Sequence, residues 1–333
     1  MTAAERSAFA TKHPDFADAV TSSTLLPGLE EGYTPQGLTR LTPDLLLVTS
    51  YRGFHVGSKA PSLFIIMNTT AASDASLLAI FTLHNTDGTP FYGHCGGAAS
   101  VADLVYTVND YELLAFDREQ LLGALVPDTV VLLDIKPIFT EFVDSKASYV
   151  FSDNERLYVG DFYEPVIPFF SVPSHHGPSG WVAGYDLDES GRITATDSYS
   201  LGFMVHDKTV LKPDLAIQIT AGVQGIILCD STLALSLAFG LYDATLALYP
   251  NPLSTEPTTT ELPDGSFLPT YTLAKEPSSK IALPTGSEDL DCDCDSNTAQ
   301  VLFESASTLY RTPIRLAGGS IEDRTFSFTL PAP

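Results

Sequence analysis

The chain has 333 residues, of which 44% are hydrophobic, and carries 17 lysines and arginines against 41 aspartates and glutamates. The resulting net charge of −24 repels phosphate backbones and anionic lipid, so we expect no nucleic acid among its partners. The apolar runs are too short to cross a bilayer, so we expect no membrane insertion.

The first 32 residues differ in texture from the rest of the chain. Apolar residues recur at helical spacing between Ala4 and Ala19, and the run LPGLEEG then interrupts this pattern. We therefore predict a short N-terminal helix and loop over residues 1–32. Residues 33–333 are predicted to form one further domain.

From Tyr33 onward, short β-rich runs alternate with turn residues. Examples are LLLVTSY (45–51), SLFIIMNTT (62–70), LVYTVND (104–110), WVAGYDLD (181–188) and ATLALYP (244–250). Even spacing of such runs predicts an all-β protein. The run DREQLLGAL (117–125) is predicted as a single short helix or turn, and the proline-rich stretch 250–265 as a surface loop or linker.

An internal repeat narrows the architecture to a propeller. Residues 35–67 and 223–249 both begin with Gln-Gly and continue into two apolar strands, and three further segments fit the same frame more loosely. The units begin near residues 36, 94, 147, 224 and 288. Because a single blade cannot bury both of its faces, we predict a five-bladed β-propeller, or six blades if 165–222 holds another. The strand RTFSFTL (324–330) is predicted to help close the ring.

Each repeat opens with a polar residue, which the propeller places at one mouth of its central channel. These opening residues are Gln36, His94, Lys146, Gln224 and the pair Glu288 and Asp289. Packing of the crowded inner strands would explain the amides alone. The mixture of a histidine, a lysine, two amides and carboxylates favours a ligand site.

Cleavage of a glycan at this mouth would need a proton donor and a base or nucleophile. We assign these catalytic roles to His94, Glu288 and Asp289, with Glu304 as a further carboxylate. Gln36, Lys146 and Gln224 are assigned to substrate binding. Aromatic side chains for stacking on sugar rings are also present, although aromatics fill strands in any case. They are Tyr33, Tyr51, Phe54, Tyr92, Tyr163 and Trp181.

Two other functions fit the same sequence. One is a non-catalytic propeller that binds a glycan or a protein. The other is a metal-dependent, lactonase-like hydrolase, which the amide-rich ring disfavours. The paired histidines of SHHGPSG (174–180) are interpreted as an exposed loop.

The sequence contains only weak motifs for metal binding. DLDESGRITATD (186–197) resembles a calcium loop, so Ca²⁺ is one option, but a hairpin tip explains the same residues. The four cysteines lack the spacing of common zinc motifs, and we predict no metal site and no cofactor beyond that option.

Several of these motifs together resemble a family of predicted secreted β-propeller proteins in bacteria and fungi. The motifs are PGL…YTPQGL, VTSY, SLFII, GHCGG, SKASYVF with LYVGDF, VQGI and VLFESASTLYR, which together span residues 26–312. The resemblance implies functional positions at Gln36, Ser50, Tyr51, His94, Gly96, Gly97, Gln224, Glu304, Ser305 and Tyr310.

The resemblance also has limits and consequences. Where the family pattern has E-G-I, this chain has Glu288-Asp289-Leu290, so its backbone path there is open. Tyr51, Glu304 and Tyr310 are assigned to substrate binding, and all three are positions that this resemblance marks, although it implies no role for them. It also implies a secreted protein whose signal peptide has been removed. We expect a monomer that binds a carbohydrate or another small polar ligand.

Overall fold

The protein is a five-bladed β-propeller, as predicted. The computed structural model describes residues 11–53, 60–70, 76–167, 170–172, 176–177, 179–201, 208–238 and 242–331. Within these residues, five sheets of four to six strands each present one innermost strand to a shared axis. The innermost strands all begin at the same mouth of the axis, where each repeat opens.

The first and second blades share one exchanged strand. Outward from the axis, the strands of the first blade are Thr34–Thr42, Leu45–Arg52, Ala60–Asn68, Ser76–Leu83 and Val131–Ile135. Those of the second are Gly96–Val101, Leu104–Asn109, Glu112–Asp117 and Phe139–Phe142. Val131–Ile135 follows the second blade's third strand in the chain but pairs in parallel with Ser76–Leu83.

The third blade is the widest and also gains strands from a distant segment. Its strands are Tyr149–Ser152, Arg156–Gly160, Gly180–Asp186, Leu215–Ile219, Phe267–Thr272 and Thr258–Glu261. The last two form a hairpin, so part of the stretch 250–265, predicted as a loop, is in fact an outer strand. Residues 165–222 hold no sixth blade among their described parts. They add two short hairpins, Glu164–Ile167 with Phe170–Val172 and Ser198–Ser200 with Thr209–Leu211.

The fourth and fifth blades complete the ring. The fourth contains Val223–Cys229, Thr232–Leu237, Asp243–Pro250 and Ser279–Thr285. The fifth contains Ser287–Asp293, Thr298–Phe303, Arg324–Thr329 and Val20–Leu25. A disulfide between Cys229 and Cys294 joins the inner edges of these two blades.

The ring is closed by the N-terminal strand. Val20–Leu25 pairs antiparallel with Arg324–Thr329 and becomes the outermost strand of the fifth blade. The segment predicted as N-terminal helix and loop therefore contributes a strand to the propeller. Arg324–Thr329 itself lies in ordinary chain order beside Thr298–Phe303, so the strand that crosses over is the first one.

Within the described residues, three short α-helices accompany the strands. They span Pro14–Ala19, Arg118–Gly123 and Arg311–Ala317, and a 3₁₀ turn covers Pro252–Ser254. The first is the predicted N-terminal helix, and the second lies where DREQLLGAL predicted one. In the described part of the chain, no helix is long and apolar enough to cross a membrane.

The N-terminal helix is fastened by one aromatic residue. Phe16 is fully buried and makes edge-to-face contacts with Phe303, Phe326 and Phe328 of the fifth blade. These residues belong to the hydrophobic cluster that runs through the third, fourth and fifth blades. The helix thus anchors the closing strand that follows it.

The inner strands touch backbone to backbone below the mouth. A Cβ atom added to Gly37 would lie 2.4 Å from the carbonyl carbon of Gly97, and one added to Gly96 would lie 2.2 Å from the carbonyl oxygen of Ser148. Glycine is needed at these positions because any side chain would collide with backbone. The mouth therefore has a floor of packed main chain.

Candidate functional site

A β-bulge opens four of the five innermost strands, and it accounts for the repeated sequence. The register shifts between Pro35 and Gly37, between Gly96 and Ala98, between Val223 and Gly225, and between Ser287 and Leu290. A bulge leaves a residue out of the ladder and turns its side chain to a new direction. In the first and fourth blades that residue is the repeated glutamine.

Five mouth side chains from four blades form one hydrogen-bonded chain. Gln224 Nε2 donates to Glu288 Oε1 at 3.5 Å, and the carboxyl groups of Glu288 and Glu304 hydrogen-bond to each other. Gln36 Nε2 donates to Glu304 Oε2 at 3.4 Å, and Gln36 Oε1 lies 3.4 Å from His94 Nδ1. The structure thus brings together residues predicted from the first, second, fourth and fifth repeats.

Two tyrosines extend this chain along the mouth. The Tyr51 ring stacks on the His94 ring with centroids 4.2 Å apart, and the Tyr51 hydroxyl hydrogen-bonds with that of Tyr310. Tyr51 also sits at a register shift, between Ser50 and Arg52, which directs it toward the axis. Burial, together with the Glu304 charge, raises the pKa of Tyr51 to about 12, so the phenol stays protonated.

The Glu288–Glu304 pair holds a proton at neutral pH. Glu288 is 7% exposed, and burial, followed by the charge of Glu304, raises its pKa well above the ordinary value. Burial raises the pKa of Glu304 to about 8. Two carboxyl groups in contact away from bulk water cannot both ionise, so the pair keeps at least one proton at neutral pH.

His94 lies at the other end of the hydrogen-bonded chain from the Glu288–Glu304 pair. It lacks the titrating proton that the pair keeps. Desolvation against its neighbours lowers the pKa of His94, so its imidazole is neutral at pH 7, yet part of the residue remains exposed. Because Gln36 donates from Nε2, its Oε1 accepts from His94 Nδ1, which leaves the lone pair on Nε2. The backbone N–H of His94 donates to Asn109 Oδ1 at 2.8 Å and fixes the loop.

Sequence reasoning missed the residues that support His94. Asn109 is one of them, and Thr49 is another, since its hydroxyl donates to the Cys95 carbonyl at 2.7 Å. Cys95 has a positive φ of 53° and is fully buried among apolar residues of the first two blades. His94 and Cys95 therefore point to different surroundings. Asn109 and Thr49 are short polar residues on neighbouring strands, and such residues give no recognisable signal in the sequence.

Asp289, predicted as catalytic, lies outside the hydrogen-bonded chain of mouth residues. Its Oδ2 accepts from the backbone N–H of Leu38 at 3.0 Å and from that of Ala98 at 3.1 Å. It is 1% exposed and lies below the mouth, where it links the fifth blade to the first and second. The bulge separates it from Glu288, so the two adjacent acids perform different tasks.

Lys146, predicted to bind substrate, is held through its backbone. Its N–H donates to Asp161 Oδ1, which also accepts from the Ser145 hydroxyl at 2.9 Å. Within the described residues, the Lys146 ammonium makes no hydrogen bond to the chain of mouth residues. The third blade thus approaches the site without joining it.

The aromatic candidates divide by exposure. Trp181 is fully buried and Tyr163 nearly so, which rules out stacking of a sugar on Trp181. Tyr92 is 44% exposed and lies two residues before His94. Phe54 lies outside the described residues.

A histidine–carboxylate pair lies between the second and third blades. His176 Nε2 is 2.7 Å from Asp144 Oδ1, and the His176 ring stacks on Trp181 with centroids 3.8 Å apart. Both side chains are buried, so His176 does not belong to an exposed loop as predicted. His175 lies outside the described residues.

The calcium-like loop is a hairpin turn. Asp188 Oδ1 accepts from the backbone and hydroxyl of Ser190 and from the backbone of Arg192, at 2.7 to 3.0 Å. Asp186 Oδ1 instead accepts from Arg156 Nε at 2.5 Å. These carboxylates close the turn and pair with an arginine.

A cavity of about 710 Å³ lies outside the mouth, between the N-terminal segment and the fifth blade. Its lining includes Lys12, Glu30 and Arg311. Lys12 pairs with Asp243 at 3.2 Å and Arg311 with Glu30 at 2.6 Å, so these cations are neutralised locally.

Comparisons with known proteins leave the activity open. No protein-family model and no curated protein matches the chain. Among solved structures, the GH43_1 enzyme from Xanthomonas citri complexed with xylotriose is 14% identical, with 98% of this chain and 92% of that chain covered and a TM-score of 0.41.

Two other solved structures are more distant. Kuenenia stuttgartiensis hydrazine synthase is 10% identical and covers 84% of this chain, with a TM-score of 0.35, and Kluyveromyces lactis Hsv2 is 10% identical over 82%, with a TM-score of 0.31. The chain spans only 57% and 60% of the lengths of these two proteins. At these TM-scores, likeness does not inform the activity, which must be inferred from the mouth itself.

Proposed function

We propose that the protein binds a neutral carbohydrate at the mouth and hydrolyses it by acid–base chemistry. The observation that supports this most is the Glu288–Glu304 pair, two hydrogen-bonded carboxyl groups that keep a proton at neutral pH. A buried acid that is still protonated at pH 7 is a suitable proton donor to a leaving oxygen.

The partner group is His94. A neutral imidazole with a free Nε2 is suited to accept a proton from water, and its exposure leaves it within reach of a ligand. The acid and the base are separated by the side chain of Gln36, which contacts both. Environments that push two pKa values apart in this way assign the acid and base roles.

The carboxyl pair also limits the mechanism. Glycosidases that use two separate carboxyl groups hold them about 5–5.5 Å or about 6.5–9.5 Å apart, whereas Glu288 and Glu304 are in hydrogen-bond contact. We therefore assign the pair as one proton-donating unit, with His94 rather than a second carboxylate activating the water.

The remaining mouth groups suit a ligand rich in hydroxyl groups. Gln224 offers an amide donor and acceptor, and Tyr51 and Tyr310 offer phenolic hydroxyls, whereas Gln36 Nε2 already donates to the Pro35 carbonyl and to Glu304. The net charge of −24 would repel a polyanionic glycan, which favours a neutral one. Tyr92, which is 44% exposed and lies two residues before His94, is our candidate for stacking on a sugar ring.

Release of reducing ends from a panel of neutral polysaccharides tests this function. We expect turnover by the wild type and a loss of about 10²–10⁴-fold in Glu304→Gln and in His94→Ala. Glu155→Gln, on an exposed turn of the third blade, serves as the matched control. Glycan binding without turnover would favour the non-catalytic propeller, and turnover abolished by a chelator would favour the metal-dependent hydrolase.

A further inference from the structure

Three of the four cysteines converge at the end of the axis opposite the mouth. Cys229 ends the innermost strand of the fourth blade, and Cys292 lies near the end of the innermost strand of the fifth. Gln224 and Glu288 lie at the beginnings of the same two strands. The cysteine cluster is therefore distinct from the candidate site, and no step of the proposed function uses it.

The three sulfur atoms are close enough to share one ion. Cys229 and Cys294 form a disulfide, Cys292 Sγ lies 3.7 Å from Cys229 Sγ, and all three sulfurs lie within 4.8 Å of one another. Two thiolates bound to one tetrahedral Zn²⁺ at about 2.3 Å are about 3.8 Å apart. The Cys229–Cys292 separation already matches this value.

The local backbone explains why the third thiol faces the other two. Cys292 lies in the strand Ser287–Asp293, and Cys294 begins the turn over residues 294–297 that follows it. At this end of the strand both sulfur atoms lie next to Cys229 of the neighbouring blade. Cys294 needs only to move away from Cys229 once the bond between them is reduced. All three residues are partly buried, which gives a site that is shielded but not closed.

The surroundings favour a positively charged occupant. Asp293 flanks the cluster and is partly exposed, while the half-buried Asp291 accepts from the Arg40 backbone N–H at 3.0 Å. Arg40 Nε lies 3.6 Å from Asp291 Oδ2, and Arg40 Nη1 lies 3.8 Å from Asp293 Oδ2, so one guanidinium pairs with both carboxylates. Sulfur ligands select thiophilic ions over hard ones such as Ca²⁺ and Mg²⁺.

We propose that the reduced protein holds one thiophilic divalent cation, Zn²⁺, through the thiolates of Cys229, Cys292 and Cys294. A dithiol reductant supplies two electrons and two protons to the Cys229–Cys294 bond and becomes a disulfide itself. Zn²⁺ then replaces the protons of three thiols and releases three protons, with water in the fourth position. The disulfide and the metal are alternative states of one site.

Cobalt titration of the full chain tests this proposal. The protein is reduced with a dithiol, separated from the reductant without oxygen, and titrated with Co²⁺ and then with Zn²⁺. We expect one Co²⁺ per chain, with thiolate charge-transfer absorption and the visible bands of tetrahedral cobalt, and displacement of Co²⁺ by Zn²⁺. The oxidised protein should give none of these bands.

Two variants separate the cluster from thiols in general. Cys292→Ala should weaken Co²⁺ binding at least tenfold, although the other two thiols remain. Cys95→Ala removes the buried thiol between the first and second blades and should bind as the wild type does. The proposal is overturned if reduced wild type binds no Co²⁺, if Cys292→Ala binds equally well, or if reduction abolishes the circular dichroism of the sheets.

Discussion

Glu288 and Glu304 hydrogen-bond to each other through their carboxyl groups at the mouth of the propeller. Glu288 comes from a bulge at the beginning of an innermost strand, and Glu304 follows the end of the next strand of the same blade. Their contact makes the mouth a place where a proton is stored. It also makes the stability and the activity of the protein depend on pH.

The first prediction concerns stability against pH. The folded protein binds the Glu304 proton more tightly than the unfolded chain does, because its pKa rises from 4.5 to about 8. The stabilisation is therefore complete below pH 4.5 and is lost as the pH rises through about 8. Urea unfolding at a series of pH values between 4.5 and about 8 should show that the free energy of unfolding decreases as the pH rises. Glu304→Gln should flatten this slope, and Glu155→Gln should not; equal slopes in all three proteins would contradict the shared proton.

Activity should depend on pH with a bell shape. In acid, His94 becomes protonated and cannot accept a proton, with a midpoint below its ordinary 6.5 because desolvation lowers its pKa. In base, Glu304 loses its proton near its pKa of about 8. The pH profile of kcat/KM for the best substrate checks both limbs. Loss of the acid limb in Glu304→Gln, with the base limb retained, would reverse the assigned roles.

Asp289 should matter for folding rather than for chemistry. Asp289→Ala leaves the buried N–H groups of Leu38 and Ala98 without their acceptor, at a cost of about 2–4 kcal/mol in the free energy of unfolding. Asp289→Asn keeps an acceptor oxygen and should cost less. Denaturant unfolding of both variants measures this difference, and a stable but inactive Asp289→Ala would restore Asp289 to the catalytic residues.

The N-terminal helix should contribute strongly to stability. Phe16→Ala removes a fully buried ring from contact with Phe303, Phe326 and Phe328, which should cost about 3–5 kcal/mol. Phe267→Ala, on a ring that is 64% exposed, is the matched control and should change the free energy of unfolding by less than about 0.5 kcal/mol. Similar values for the two variants would mean that the helix does not fasten the closing strand.

The repeat in the sequence was sufficient to predict the propeller and much of its mouth. Gln36 and Gln224 occupy the same bulge in two blades, so their likeness in sequence reflects a likeness in backbone geometry. The bulge between Ser287 and Leu290 has no signal in the sequence, so Glu288 and Asp289 were given the same catalytic role although their side chains lie in different surroundings.

Long-range pairings account for what the sequence did not reveal. The closing strand VTSSTL has no apolar alternation, and the Cys229–Cys294 bond spans 65 residues, so neither has a local signal. The family resemblance, export and the monomeric state stay predictions. Glu304 and Tyr310 were placed at the mouth on that resemblance, and the structure does bring both into contact with the other mouth residues.

The shared proton of Glu288 and Glu304 can be observed directly by a carbon NMR titration of the side-chain carboxyl groups in protein labelled with ¹³C at glutamate. Comparison with Glu288→Gln and Glu304→Gln assigns the two resonances. We predict that one carboxyl of the wild-type pair titrates near pH 8 and that its partner shifts with it. Two carboxyl groups that both ionise at or below the ordinary value of 4.5 would contradict the proton-storing pair and the hydrolysis built on it.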